Sequence, residues 1–176
     1  MDLRRKGFQL PDKIRFDEET LTETYGKLIA EPLERGYGTT IGNALRRVLL
    51  SSIEGAAVTA VKIQGAFHEF SKIDGIKEDV IDIILNMKKL RFKLYSDGKK
   101  TATIRVKGPK DVKGSDIQGD TSFEVLNPDQ VIATLDKDAS FEAEMNEKKG
   151  KGYVSSEFNK EDDLPVDMIA IDSVFT

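Results

Sequence analysis

The sequence IAEPLERGYGTTIGNALRRVLLSS, residues 29–52, combines a strand end, a glycine-bearing turn and one strongly patterned helix. Gly36 and Gly38 permit a positive φ angle in the turn, and Thr39 or Thr40 offers a hydroxyl that can cap the exposed amides of a helix start. The stretch therefore predicts a helix that begins near Thr40.

Two faces of this predicted helix carry different residues. Asn43, Arg47 and Leu50 are spaced i, i+4, i+7 and project together. The other face is an apolar stripe, whose i, i+3, i+4, i+7, i+8 spacing is typical of a helix that packs against a partner: Ile41, Ala44, Leu45, Val48 and Leu49. A helix with an apolar face and a second, mixed face is predicted to make contacts on both sides, unlike a simple surface helix.

Composition excludes several classes of protein. The chain has 176 residues, of which 39% are hydrophobic and 33% charged, and this supply supports a folded core. A net charge of −4 argues against direct binding to a polyanion such as DNA. Without cysteine there is no disulfide or thiolate zinc site, and no apolar run has the length of a membrane span or an export signal. We expect a cytoplasmic protein that contacts neither nucleic acid nor membrane.

Hydrophobic periodicity divides the chain into strands and a second helix. Residues 14–17 and 25–30 predict a hairpin, and residues 56–63 and 66–70 predict two more strands. Residues 77–90 return to helical spacing, with one apolar stripe made of Val80, Ile83, Ile84 and Met87.

From Leu90 onward the apolar period is two, which predicts an antiparallel sheet. Residues 150–153 are interpreted as a basic, glycine-bearing loop, residues 159–163 as a solvated acidic loop, and residues 168–175 as a final strand. The remaining strands are predicted at residues 91–96, 101–108, 121–126, 131–135 and 140–145.

The glycines of the turn allow a second hypothesis, a phosphate-binding loop. Gly36, Gly38 and Gly42 form a G-x-G-x-x-x-G pattern between a strand and a helix. Three features disfavour nucleotide binding: Pro32 precedes the turn, no βαβ unit follows, and Lys62 occupies the neighbourhood of the expected ribose-binding acid. The glycines are better interpreted as shaping the turn and permitting close helix packing.

Residue types that carry catalysis or bind metals lack the spacing that such chemistry needs. His68, beside Glu69, is the only histidine and has no second ligand at metal-binding spacing, so a structural role is favoured. Ser51 and Ser52 have no nearby base. A solvated loop is also the better interpretation of the three consecutive acids Glu161, Asp162 and Asp163. We expect no catalytic residue, no metal and no cofactor.

Several long segments occur together in an order that identifies a family. They are LERGYGTTIGNALRRVLLSS (33–52), GAAVTAVKIQGAFHEFSKIDGIKEDVIDIILNMKKL (55–90), VLNPDQVIATL (125–135), GKGYV (150–154) and LPVDMIAIDSVFT (164–176). They closely resemble the amino-terminal assembly domain of the α subunit of bacterial DNA-directed RNA polymerase, over nearly all of the chain after about Leu28.

The resemblance implies an α+β fold with two domains, one inserted into the other. Residues 1–54 would be the first half of a discontinuous dimerisation domain, made of a sheet and helices. Residues 55–173 would be an inserted, mostly antiparallel β domain with one helix, and residues 174–176 would start the returning half. Family members continue further, so the chain is expected to be a fragment in which the rest of that half, a linker and a DNA-binding domain are absent.

The function implied by the resemblance is a non-catalytic scaffold. Two copies would form a homodimer, which would recruit the large β and β′ subunits to assemble the transcribing enzyme, a nucleotidyltransferase whose catalysis belongs to those partners. The alternative is an enzyme or nucleotide-binding module built on the glycine turn, which predicts saturable nucleotide binding by the isolated chain.

Matched family positions assign roles to individual residues. Arg47 and Leu50 match the positions that engage the β subunit, and a planar guanidinium such as that of Arg47 suits a partly buried polar contact. Asp82, which stands where a glutamate is more usual, Lys88 and Ile171 match positions of large-subunit contact. The positions used between the two copies are matched by Tyr37, Ile41 and Val48, for which packing within one subunit is the competing interpretation.

Overall fold

A computed structural model describes residues 7–162 and 164–175 of the chain. It divides into two compact units, and the division falls between Leu49 and Leu50. The domain boundaries implied by the family resemblance stay a prediction.

The first unit contains a two-stranded antiparallel hairpin, as the sequence predicts. Strand β1 (Lys13–Phe16) pairs with β2 (Leu28–Glu31) in a register that runs from Lys13↔Glu31 to Phe16↔Leu28. The Lys27 ammonium and the Asp17 carboxylate, 3.3 Å apart, lie where the loop leaves the strands.

Helix α1 (Tyr37–Ser51) begins three residues before the predicted start at Thr40. Gly36 adopts a φ of 86°, and the Tyr37 N–H donates to the Glu34 carbonyl over 3.0 Å, so the turn leads directly into the helix. Thr40 consequently lies inside the first turns, where its hydroxyl contacts the Gly36 carbonyl at 3.5 Å instead of capping the helix. None of the 15 residues of α1 is buried in the described part of the chain.

The second unit is mostly β-structure. Its elements, in chain order, are β3 (Glu54–Ile63), α2 (Val80–Met87), β4 (Phe92–Leu94), β5 (Lys100–Lys107), β6 (Lys110–Lys113), β7 (Ile117–Gln118), β8 (Phe123–Val125), β9 (Val131–Leu135), β10 (Ser140–Val154), α3 (Ser156–Asn159), β11 (Ile169–Ala170) and β12 (Ser173–Phe175). A short 3-10 turn at Gly114–Asp116 joins β6 to β7. Together with the first unit this confirms the predicted α+β fold class.

The main sheet of this unit has the strand order β11-β3-β10-β5-β7, and β12 pairs with the end of β10. All of these pairings are antiparallel, as predicted. The register between β10 and β3 runs from Ala143↔Ile63 to Lys151↔Glu54, with a bulge between Asn146 and Glu147. Two smaller pairs, β4–β8 and β6–β9, complete the unit.

Helix α2 packs on the core through the stripe that its sequence predicts. Val80, Ile83, Ile84 and Met87 are all buried. The helix begins later than the predicted residue 77, because the Asp79 carboxylate accepts a hydrogen bond from the Asp82 N–H over 3.0 Å and so caps its start. It ends before the predicted residue 90, because the N–H groups of Lys89 and Leu90 donate to carbonyls three residues earlier and close a turn. Asn86 Nδ2 donates to the Ile132 carbonyl over 3.1 Å, which fixes the helix to β9.

The predicted strand at residues 66–70 is wrong. The Ser71 hydroxyl accepts hydrogen bonds from the N–H groups of Phe67 and His68, at 3.3 and 3.2 Å, and the Ser71 N–H donates to the His68 carbonyl. These bonds close a turn, since a nearby hydroxyl competes with a sheet partner for the same backbone groups. The Phe67 side chain remains 94% exposed.

Three predictions for the end of the chain also need correction. The predicted loop at residues 150–153 lies within β10, where the Phe175 ring occupies the space beside Gly150. The predicted strand at residues 168–175 is divided into β11 and β12, because the chain leaves β3 and joins β10. Asn159 belongs to α3 and not to the predicted acidic loop, and Asp163 of that loop lies outside the described residues.

Candidate functional site

A groove of about 260 Å³ lies in the second unit between α2 and β11. Polar groups of Glu69, Lys88, Ser156 and Asp172 lie around it. Its apolar lining comes from both elements and from the residue that follows β11: Ile81, Ile84, Leu85, Ile169, Ala170 and Ile171. An apolar groove with a few charged groups at its edge is suited to accept a side chain of another protein.

An ion pair forms part of the lining of this groove. Lys88 Nζ lies 3.2 Å from Asp172 Oδ2, and the two side chains are 26% and 43% exposed. Partly solvated pairs of this kind contribute little to folding stability. The pair therefore matters mainly for the surface of the groove, where it brings the Asp172 carboxylate to the Lys88 ammonium and restrains the lysine side chain.

The groove brings together two of the three predicted large-subunit contacts that follow α1 in the sequence. Lys88 and Ile171 line it from opposite walls, whereas Asp82 is exposed in the first turn of α2 and does not line it. Ile171 is only 5% exposed, and its N–H donates to the Thr59 carbonyl over 3.0 Å. Ile171 thus contributes to the wall of the groove, and its assigned role stays a prediction.

Sequence reasoning did not select two residues that shape the groove, Leu85 and Asp172. Leu85 is 48% exposed and lies off the buried stripe of α2. A signal for it was present, since Ile81, Leu85 and Lys88 are spaced i, i+4, i+7 and form a second helix face. No spacing rule could have paired Asp172 with Lys88, because 84 residues separate them.

The predicted contact residues of α1 are exposed along the helix. Tyr37, Ile41 and Val48 retain 43%, 40% and 53% of their accessible surface, and Leu50 retains 63%. Arg47 is also exposed. Packing within one subunit, the competing interpretation for the first three, is seen only in part: the Tyr37 ring meets the Phe8 ring edge-on, with centroids 5.6 Å apart.

The three glycines of the turn lie at or near the start of α1. Gly36 has the positive φ, whereas Gly38 and Gly42 lie within α1. A Cβ atom at either helical glycine would meet no other described atom within 4 Å, so the close packing expected around them is not formed in the described chain.

His68 is exposed, and its ring nitrogen lies 3.3 Å from the Ser71 hydroxyl. Within residues 7–162 and 164–175, no group of three or more histidine, aspartate or glutamate side chains is arranged to hold a metal ion. Over the same residues, no helix has both the length and the apolar character needed to span a bilayer.

One buried acid stands apart from the groove. Glu147 follows the bulge of β10, is fully buried, and its two carboxylate oxygens have no hydrogen-bond partner among the described residues. Burial, with a smaller contribution from the nearby Asp120 carboxylate, raises the pKa of Glu147 to about 8. Along β10, Glu142 and Glu144 alternate with the buried Phe141, Ala143 and Met145, and Glu147 falls in the phase of those buried residues.

The sheet, α2 and the groove belong to a known class of domain. Residues 61–176 match the family described as the RNA polymerase Rpb3/RpoA insert domain, and the chain belongs to this family. It is 50% identical over 169 residues to the protein named DNA-directed RNA polymerase subunit alpha of Chloroherpeton thalassium, a match that covers 96% of this chain and 52% of the relative.

A second relative with the same name, from Geobacter metallireducens, is 52% identical over 166 residues, which cover 94% of this chain and 49% of the relative. The chain therefore spans about half the length of the curated relatives it matches. The resemblance drawn from the sequence segments is confirmed at the level of the family.

Proposed function

We propose that the chain acts as a non-catalytic scaffold within a DNA-directed RNA polymerase. In this proposal it forms a homodimer and recruits the large β and β′ subunits, and nucleotidyl transfer is carried out by those partners. The names of the two relatives support a place in that enzyme. We further propose that the chain works in the cytoplasm and makes no direct contact with nucleic acid, in keeping with its net charge of −4.

The exposure of α1 is the observation that carries the proposal. Its apolar stripe has the spacing of a buried helix face, and yet Leu45, Val48 and Leu49 remain 47%, 53% and 62% exposed. Large apolar side chains arranged on one helix face favour contact with another protein surface, since their burial stabilises by about 1.5–3 kcal/mol each. Tyr37, Ile41 and Val48 are the proposed dimer contacts.

The large subunits are assigned to two other surfaces. Arg47 and Leu50 on α1 are proposed to engage β. In the second unit, the α2–β11 groove is proposed to receive an apolar side chain of a large subunit, with Lys88 and Asp82 as the charged contacts beside it.

Arg47 provides the sharpest test of recruitment. Arg47→Ala is expected to weaken capture of the purified β subunit by at least about 2 kcal/mol, roughly thirtyfold in affinity, because a central interface arginine is poorly replaced by water. Folding should be unchanged, since Arg47 lies about 100° around the helix from Val48 and off the apolar stripe. The measurement is β capture at matched concentrations, with a melting curve for each variant.

Arg46→Ala is the matched control, because it removes the same charge from the neighbouring helix position. We expect it to change β affinity by well under 1 kcal/mol. Equal capture by wild type and Arg47→Ala would contradict the assigned role. Lost capture together with an equally lowered melting temperature would identify Arg47 as a folding residue.

A further inference from the structure

The wall of the groove that carries Asp172 is a bend between two strands. β11 pairs with β3, whereas β12 pairs with β10, so the chain changes partners at Ile171 and Asp172. Asp172 projects from this bend to Lys88, the residue that follows α2. The position of the carboxylate, and therefore of the lysine, depends on how firmly the bend is held.

Asn159, the last residue of α3, holds the bend from both sides. Its side chain is buried, and Nδ2 donates to the Ile171 carbonyl over 2.7 Å and to the Ser173 hydroxyl oxygen over 2.9 Å. The two acceptors flank Asp172 in sequence. One amide group thus sets the separation of the residues on either side of the groove carboxylate.

The bend is also fixed to the main sheet. The Ser173 hydroxyl, 1% exposed, donates to the Val58 carbonyl over 2.6 Å, and the Ile171 N–H donates to the Thr59 carbonyl. Asn159, Ser173 and Val58 therefore form a continuous chain of hydrogen bonds from α3 to β3. The groups involved are buried, so removal of the amide leaves the Ile171 carbonyl with only a 3.4 Å contact to the Ser173 hydroxyl, which already donates to Val58.

We infer that Asn159 is a positioning residue for the α2–β11 groove: its amide holds the bend between β11 and β12 so that Asp172 reaches Lys88. The inference concerns how the groove is shaped, and its consequence for partner capture rests on the proposed function. Asn159 lies outside the set of groove-lining residues and acts through Asp172.

The first test uses hydrogen exchange on the chain alone. Asn159→Leu removes both donated bonds with little change in volume, and we expect the Ile171 amide to exchange at least about tenfold faster relative to the Met145 amide of central strand β10. The matched control is Asn127→Leu, which removes bonds to Lys89 and Arg91 away from the bend and should leave that ratio unchanged. An unchanged ratio in Asn159→Leu would overturn the inference.

The second test asks whether Asn159 acts through Asp172. Asp172→Asn in the otherwise wild-type chain is expected to weaken capture of a large subunit about tenfold, and the same substitution in the Asn159→Leu background should cause no further loss. Independent, additive losses would overturn the inference. If Asn159→Leu does not fold, Ser173→Ala replaces it in both tests, because it removes the Val58 bond and one of the two bonds that Asn159 donates.

Together, the two tests distinguish the positioning role of Asn159 from the proposed binding function of the groove. Faster exchange at Ile171 with undiminished capture by every variant would retain the positioning role of Asn159 and would contradict the proposed binding function of the groove. Faster exchange with non-additive loss of capture would support both.

Discussion

Helices α1 and α2 have apolar residues at the same spacing, but the stripe of α1 is exposed and the stripe of α2 is buried. In α2 the stripe is fully used, and Val80, Ile83 and Met87 have no accessible surface. In α1, none of the 15 residues is buried in the described chain. A periodic apolar stripe therefore indicates that a helix face is to be buried. It does not indicate whether the surface that buries it belongs to the same chain or to another one.

The two helices also differ in the interactions that hold them in place. The α2 helix is fixed by the core, by the Asp79 cap and by the bond from Asn86 to β9. The α1 helix has its own backbone bonds and a turn at Gly36, without a core of its own. Substitutions should then act on folding in the second unit and on association in α1.

The largest expected effect is in the core of the second unit. Phe141 is 1% exposed, and Phe141→Ala should lower the free energy of unfolding by about 3–5 kcal/mol, because a large cavity remains. Phe158→Ala makes the same change at an 83% exposed position and should alter it by less than about 0.5 kcal/mol. Denaturant unfolding followed by circular dichroism measures both, and equal effects would contradict a packed core around Phe141.

The buried acid gives a pH-dependent test of the same core. The pKa of Glu147 is about 8 in the folded chain and has an ordinary value of 4.5, so the folded chain keeps a proton that the unfolded chain releases. Stability should therefore be fully present below about pH 4.5, fall as the pH rises to about 8, and level off above. Glu147→Gln cannot ionise and should remove this fall, with a gain on the order of 4 kcal/mol at pH 8.

Urea unfolding at pH 5 and pH 8 is the measurement for Glu147. The exposed Glu142→Gln serves as the control, because its carboxylate is solvated and pairs with Arg105 at the surface. An equal stability difference between the two pH values in wild type and Glu147→Gln would show that this acid is not the source.

A smaller effect is expected at the start of α2. Asp79→Ala removes the acceptor for the Asp82 N–H and should lower the free energy of unfolding by about 1 kcal/mol. Asp79→Asn keeps an acceptor oxygen and should stay near wild type. Thermal melts of the three chains distinguish the cap from a general charge effect, which would make both variants equally unstable.

The smallest expected effect on stability is in α1. A larger effect there would contradict the contrast drawn between α1 and α2. Leu49→Ala, at a 62% exposed position of α1, should change the stability of the isolated chain by less than about 0.5 kcal/mol. It should weaken self-association, which sedimentation measures at several concentrations. A loss of 2 kcal/mol or more in a dilute, monomeric sample would mean that α1 is covered within its own chain.

The sequence predicted those parts of the fold that local rules decide. The α2 stripe, the first hairpin and most strands of the antiparallel sheet follow from periodicity. The strand predicted at residues 66–70 failed because one side chain, Ser71, captures two backbone amides there. The loop predicted at residues 150–153 failed because Gly150 accommodates the Phe175 ring inside a sheet, a contact between distant residues.

The candidate site was predictable to a similar extent. Lys88 could be selected from its matched family position, and Leu85 from helix spacing. Asp172 and Asn159 could not, because their roles come from hydrogen bonds that join α2, α3 and two strands only after folding. Charge and polarity at those positions gave no indication of the partner each would find.

The long strand β10 has a consequence for how the chain is made. β3 contains six consecutive buried residues, and its sheet partner β10 pairs with it only from Ala143 to Lys151. A ribosome adds about 5–20 residues per second, so β3 waits roughly 4–20 s in a growing chain before β10 is synthesised. During that interval an apolar strand without an edge partner is open to chaperones and to neighbouring nascent chains. The pace of translation is therefore expected to influence how much of this protein reaches its folded state, in addition to the strength of the finished sheet.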